Sequence, residues 1–155
     1  MKFFICSLVL FMTSITSAIE NGTLYYKLYV DNSSEYYSSP QIEMIIKNCI
    51  DKNIISGLAR TYDEEAPLRI VVFAAIMDVK NLAGEITGTI FSSHTSIRTY
   101  PSAYDALTPE KLGLGITGDK YDTEFIKSYF DREISTIFGE FDRMRDLLNN
   151  VKTNE

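Results

Sequence analysis

The sequence has few of the residues on which several classes of functional site depend. Its 155 residues include two cysteines and one histidine. Two cysteines are too few for a disulfide-rich mini-protein or a cysteine-based zinc module, and a lone histidine excludes most histidine-based metal centres. The acidic run at 63–65 lacks the alternating oxygens and the central glycine of an EF-hand loop. We therefore expect no metal site and no cofactor.

Basic residues are also scarce relative to acidic ones. The chain has 15 Lys and Arg against 21 Asp and Glu, which gives a formal net charge of -6. A nucleic-acid-binding surface needs a basic face that displaces counterions from phosphates, so we expect no nucleic-acid partner. With 45% hydrophobic and 23% charged side chains, the composition is that of one globular domain and not of a disordered chain.

Apolar runs long enough to span a bilayer are missing as well, and the N-terminus has a shorter one. Lys2 precedes residues 3–12, which are apolar apart from Ser7, and the small residues Thr16 and Ala18 follow at the -3 and -1 positions of a cleavage site. This pattern predicts a secretory signal peptide over residues 1–18. The run is about half the roughly twenty residues that a spanning helix needs, so an uncleaved anchor is the weaker alternative. We expect an exported protein, periplasmic or secreted, without a transmembrane anchor after processing.

Periodicity predicts six elements in a single domain that spans residues 19–149. Alternation of apolar and polar residues predicts strands, and apolar residues at spacings of three and four predict helices. The predicted order is a strand at 23–31, a helix at 40–57, strands at 68–79 and 85–97, a short strand at 112–116 and a helix at 119–149. The polar segment 150–155 is predicted to be a disordered tail.

This order, β-α-β-β-β-α, predicts an α+β fold with both helices packed on one face of an antiparallel sheet of three to four strands. Strands 68–79 and 85–97 are joined by a short turn and should form a hairpin. Segment 68–79 is apolar on both faces in its middle, which is typical of a central strand covered on at least one side. The order of elements is similar to that of small envelope domains such as the N-terminal domain of TolB.

The apolar stripes of the two helices are the predicted core. The first helix should begin at Pro40, with Ser39 as its N-cap. Cys49 lies on the isoleucine-rich face of this helix, so we expect its thiol to be buried. The stripe of the long helix follows spacings of four and three: Ile126, Phe130, Ile134, Ile137 and Phe141.

Two sequence patterns suggest chemistry but lack the context that it needs. Residues 113–118 match G-x-G-x-x-G, yet no second strand with a closing acidic residue follows at the required offset. We interpret these glycines as a tight turn and a close approach of helix to sheet. His94 is flanked by serines and could form a catalytic triad with one of them and Asp105. However, the sequence contains no G-x-S-x-G elbow, and Ser93 should point to the opposite face of the strand. We therefore expect no catalytic residue, and an enzyme around His94 is kept as an alternative.

Tyrosines are the most informative candidates for a binding surface. Tyr25 and Tyr29 lie on the outer side of the first strand, and Tyr36 and Tyr37 follow it. Exposed tyrosines give a large contact area at low entropic cost and are favoured at interfaces. The leading hypothesis is an exported, non-enzymatic domain that acts by protein–protein interaction, with another protein as its partner. A small-ligand or glycan-binding protein that uses a cleft between helix and sheet is the alternative.

Overall fold

A computed structural model describes residues 22–55, 57–99, 109–118 and 122–152. The predicted signal peptide lies outside these residues. The elements are β1 (Thr23–Asn32), α1 (Ser39–Asn53), β2 (Ala59–Thr61), β3 (Leu68–Lys80), β4 (Ile86–Thr99), β5 (Glu110–Thr117) and α2 (Thr123–Lys152). The long helix thus extends into the segment that was predicted to be a disordered tail.

The five strands form one mixed sheet in the order β2-β1-β3-β4-β5. β1 runs parallel to both β2 and β3, and the pairs β3–β4 and β4–β5 are antiparallel. The α+β class and the two helices are confirmed, whereas the prediction of an antiparallel sheet of three to four strands is corrected. Helix α1 carries the chain back along β1, and such a crossover makes the next strand parallel to it.

Both helices pack on the same side of the sheet. On this inner face Tyr26 of β1 donates its hydroxyl hydrogen bond to Asp51 of α1 at 2.8 Å. Ser93 of β4 is hydrogen-bonded to Tyr129 of α2 at 2.8 Å. The two helices, β1, β3 and β4 share a single hydrophobic core, which includes Leu24, Ile70 and Phe91. The prediction that both helices cover one face therefore describes the observed layers.

The helices begin and pack largely as their patterns predict. Helix α1 has Ser38 as its N-cap, one residue before the predicted Ser39, and the Ser38 side chain accepts a hydrogen bond from the Gln41 amide. Cys49 is buried, and its thiol donates a long hydrogen bond to the carbonyl oxygen of Lys127. The five residues of the predicted α2 stripe are all buried. Both stripes are thus confirmed as core.

The glycines of β5 permit the close contact between α2 and the sheet. A Cβ atom on Gly113 would lie 2.5 Å from the Tyr129 hydroxyl oxygen, and one on Gly115 would lie 2.9 Å from Tyr129 Cδ2. Both distances are shorter than Cβ contacts in proteins. The close helix–sheet approach that we inferred from the G-x-G-x-x-G match is therefore confirmed. The tight turn inferred with it is corrected for Gly113 and Gly115, which lie within β5.

Candidate functional site: the open face of the sheet

The side of the sheet away from the helices is called the open face here. Strand register places its side chains in rows that run across β1, β3, β4 and β5. One row contains Tyr29, Phe73, His94 and Leu112, and the next contains Asp31, Ala75, Ser92 and Leu114. Both described helices lie on the opposite side, so this face is the part of the sheet that the core does not use.

Large apolar side chains dominate one half of the open face, which we call the apolar half. Leu112, Leu114 and Ile116 of β5 are 80%, 65% and 60% exposed, and Met77 of β3 is 52% exposed. Strand alternation makes this an ordered surface, because the intervening residues of the same strands point to the core. Contiguous exposed apolar surface of this kind marks interaction sites in proteins. The apolar half consists of Tyr29, Phe73, Met77, Ile90, Leu112, Leu114 and Ile116.

A stack of rings crosses the middle of the open face. Tyr29 and Phe73 are parallel neighbours with ring centroids 4.5 Å apart and an interplanar angle of 6°. His94 stacks near Phe73 from the adjacent strand, with centroids 6.1 Å apart. Because Phe73 has a ring on each side, neither of its faces is open for stacking against a sugar. The stack therefore suits contact with side chains of a protein better than a sugar platform.

A shallow depression of about 480 Å³ lies beside this stack. Its lining includes the small residues Ala75 and Ser92, with Phe73, His94 and Leu112 around them. The small side chains leave space between the larger ones. An apolar side chain from a binding partner could enter this space, which is how interface anchors are commonly seated.

The other half of the open face is polar, and the loop after β2 is hydrogen-bonded to it. The Tyr25 hydroxyl donates a hydrogen bond to Glu64 Oε1 at 3.1 Å, and Arg69 donates to the Glu64 carbonyl oxygen. Desolvation, followed by the hydrogen bond to Glu64, raises the pKa of Tyr25. The acidic loop 63–65 is therefore anchored to the sheet by these two contacts. Lys27 and Arg98 complete this polar half.

The four predicted tyrosines do not form one surface. Tyr25 and Tyr29 lie on the open face, and Tyr29 is 42% exposed. Tyr36 is half-buried against the core. Tyr37 is only 4% exposed and packs edge-on against Phe91 in the core. The exposure expected for Tyr37 is thus corrected, because the segment after β1 folds inward over the ends of the core.

Sequence reasoning missed the aliphatic part of this surface. Phe73 and Met77 lie in a segment that is apolar on both faces, so the pattern alone could not show which side the helices leave open. Leu112, Leu114 and Ile116 alternate with small residues, and this alternation was available as a signal of one exposed apolar side. The sequence pattern does not show on which face of the sheet α2 packs.

His94 has a carboxylate partner and lies away from the buried serine. Its Nε2 atom is 3.3 Å from Glu110 Oε2 on the neighbouring strand. Ser93 points to the inner face and is hydrogen-bonded to Tyr129, so it cannot serve His94. Within the described ranges, no serine hydroxyl is hydrogen-bonded to His94, and Asp105 lies outside them. The geometry thus supplies a surface contact between an imidazole and a carboxylate and no described nucleophile.

The helix–sheet cleft needed by the ligand-binding alternative is filled where β5 meets α2. Tyr129 and Glu133 of α2 contact the glycines of β5, and Glu133 is buried with Lys111 Nζ at 3.7 Å. A separate cavity of about 310 Å³ lies between the two helices. Four of its charged groups already pair with one another, since Lys52 donates to Asp131 at 2.7 Å and Lys127 donates to Glu124 at 2.6 Å.

The described residues contain no group of three or more His, Cys, Asp or Glu side chains that could hold a metal ion. None of the helices in this part of the chain is long and apolar enough to cross a membrane.

Comparison with known proteins gives a likeness of fold. The chain matches no protein-family model and no curated protein sequence. A PelC variant from Paraburkholderia phytofirmans, described as a dodecamer, is 12% identical with a TM-score of 0.48, over 75% of this chain and 86% of that one. A neuraminyllactose-binding hemagglutinin homolog from Helicobacter pylori is 9% identical with a TM-score of 0.46, over 88% of this chain and 92% of that one.

A lipoprotein is among the similar structures too. Rare lipoprotein B from Shewanella oneidensis is 10% identical with a TM-score of 0.38, over 79% of this chain and 98% of that one. At these values the similarity is one of general fold alone.

Proposed function

We propose that the protein is an exported, non-enzymatic protein that acts by binding another protein through the apolar half of its open sheet face. The observation that carries this proposal is the row of large apolar side chains across β1, β3 and β5, each of them between 42% and 80% exposed. Exposed apolar side chains lower the solubility of a protein, and the core does not require them. Polar residues at these positions would therefore be compatible with the fold. Export is supported by the N-terminal pattern of a signal peptide.

The chemistry of the surface favours a protein partner over the alternatives. Its centre is aliphatic and aromatic, and its rim carries Lys27 and Asp31. The depression beside the ring stack is lined by Asp31, Phe73 and Leu112 among others. This combination of an apolar centre and a polar rim is typical of protein interfaces. A glycan site centred on Phe73 would need an open face of that ring, which lies between Tyr29 and His94. An enzyme would need a nucleophile near His94.

Site-specific photo-crosslinking tests the proposal in the compartment where the protein resides. A photoreactive phenylalanine analogue replaces Phe73 in the apolar half or Met44 on α1, which is 60% exposed and serves as the matched control. We expect a discrete adduct of defined mass from position 73 and none from position 44. Equal labelling from both positions, or no adduct from position 73, would contradict the proposal.

The enzyme alternative has its own test. His94→Ala removes the imidazole and its contact with Glu110 while leaving Phe73 in place. We expect this variant to bind the partner more weakly, because His94 flanks the Phe73 ring and lines the depression, and to leave any hydrolytic activity unchanged. Loss of a measured hydrolytic activity in His94→Ala, with partner binding unchanged, would favour the enzyme instead.

A further inference from the structure

In the described part of the chain, strand β5 forms one edge of the sheet, and its own sequence has little of the usual protection of an edge. Natural edge strands avoid pairing with other chains by being short, by carrying proline, lysine or bulges, or by being covered. The opposite edge, β2, is three residues long and is protected by its length. β5 has eight residues, pairs with β4 without a register shift, and has no charge or proline between Leu112 and Thr117.

In β5, large aliphatic residues alternate with glycine, and this alternation is the same in both chain directions. Its central residues are Leu-Gly-Leu-Gly-Ile, from Leu112 to Ile116. If two copies of β5 pair antiparallel with Leu114 opposite Leu114, then Leu112 of each copy lies opposite Ile116 of the other. Gly113 then lies opposite Gly115 on the inner side. Every central cross-strand pair on the open face is apolar, and such pairs are what stabilises adjacent strands.

The same register keeps like charges apart. Glu110 of one copy falls opposite Gly118 of the other, and Lys111 falls opposite Thr117. The two Glu110 side chains are then about 27 Å apart along the ladder, at a rise of about 3.4 Å per residue. In antiparallel registers centred on a residue closer to Glu110, the Glu110 side chains of the two copies, and likewise the Lys111 side chains, lie closer together. The distribution of charge in β5 therefore favours this one register.

We propose that two copies of this chain associate through antiparallel pairing of their β5 strands, centred on Leu114. The pairing joins two five-stranded sheets into one sheet of ten strands around a two-fold axis, which is the self-complementary arrangement of an isologous dimer. It also joins the two apolar halves side by side. The inference rests on the edge strand and is independent of any partner that binds the open face.

Disulfide trapping tests the register directly. In antiparallel pairs the opposed Cα atoms are about 4.5 to 5.5 Å apart, within disulfide reach. Leu114→Cys should form a covalent dimer under mild oxidation, while the matched variant Leu82→Cys in the exposed β3–β4 turn should not. When the single variants Leu112→Cys and Ile116→Cys are mixed in equal amounts and oxidised, the main product should be the disulfide dimer that contains one copy of each variant. Cross-linking of Leu114→Cys no faster than Leu82→Cys would overturn the proposal.

Sedimentation of the purified protein tests the association itself. Leu114→Lys places two like charges opposite each other and should raise the dimer dissociation constant at least tenfold, whereas Leu82→Lys should leave it unchanged. Phe73→Ser, on the open face but away from the edge, should also leave the dimer intact. A monomeric native protein, or dissociation by Phe73→Ser as strong as by Leu114→Lys, would refute edge pairing.

Discussion

At the scale of the residue, burial decides what a side chain can do. Cys49 shows this most clearly, because burial, and secondarily the charge of Asp131, raises the pKa of its thiol to about 11. A thiol that is both buried and protonated reacts slowly, since the thiolate is the nucleophile. We expect slow labelling of the native protein by a thiol reagent at pH 8 and fast labelling in denaturant. Fast native labelling would contradict the burial of this helix face.

The same shift makes a prediction about pH. The pKa of the thiol lies near its ordinary value of 9.0 in the unfolded chain and near 11 in the folded protein. The unfolded state therefore ionises first, and the contribution of Cys49 to stability is present below pH 9 and is lost as the pH rises toward 11. Cys49→Ala should flatten the fall in unfolding free energy across this window. Unchanged slopes in the two proteins, measured by urea titration, would refute the shift.

Aromatic residues in the core and on the open face should differ in how much they contribute to stability. Phe130 is fully buried in the α2 stripe, so Phe130→Ala should cost about 3 to 5 kcal/mol of unfolding free energy. The double variant Tyr25→Ala and Tyr29→Ala should shift the melting temperature by only a few degrees, because both residues lie on the open face. Thermal melts of the two proteins provide the comparison. A double variant that unfolds as readily as Phe130→Ala would make the open face part of the core.

At the scale of the element, the two glycines of β5 set how closely α2 can lie against the sheet. Gly115→Ala should destabilise the protein by about 1 to 3 kcal/mol, because the added methyl group overpacks against Tyr129. Gly118→Ala is the matched control, since an added Cβ there meets no heavy atom within 4 Å. We expect a change within about 0.5 kcal/mol for this control. Equal unfolding free energies for the two variants, measured in denaturant, would show that the contact tolerates a methyl group.

Elements with a clear period were predictable, and those defined by long-range pairing were not. The long helix α2 and the hairpin β3–β4 follow from spacing alone, because their apolar residues repeat over many positions. β2 has three residues, which is too short to show a period. Its pairing with β1, like the parallel pairing of β3, depends on where α1 places the returning chain. The same holds for the candidate site. The exposure of Tyr29 could be predicted from alternation, whereas predicting that of Phe73 and Met77 requires knowing which face of the sheet the helices cover.

At the scale of the whole molecule, the described helices cover one face of the sheet, and the apolar half of the other face stays exposed in the described part of the chain. Two helices on one side of a five-stranded sheet use half of the sheet's side chains for the core. The other half presents an apolar surface bordered by a polar, loop-anchored region. We propose that a partner covers the open face and turns this two-layer arrangement into three layers, which would account for the exposed apolar residues.

The most direct measurement is the affinity of the photo-crosslinked partner for two matched variants. Phe73→Ser removes the centre of the ring stack, and Met44→Ser removes an exposed apolar side chain on the opposite layer. Central aromatic residues at interfaces commonly contribute about 2 kcal/mol or more, so Phe73→Ser should weaken binding by at least tenfold, with unfolding free energy near that of the native protein. Met44→Ser should bind as the native protein does. Equal dissociation constants for the two variants would contradict the assignment of the open face as the binding surface.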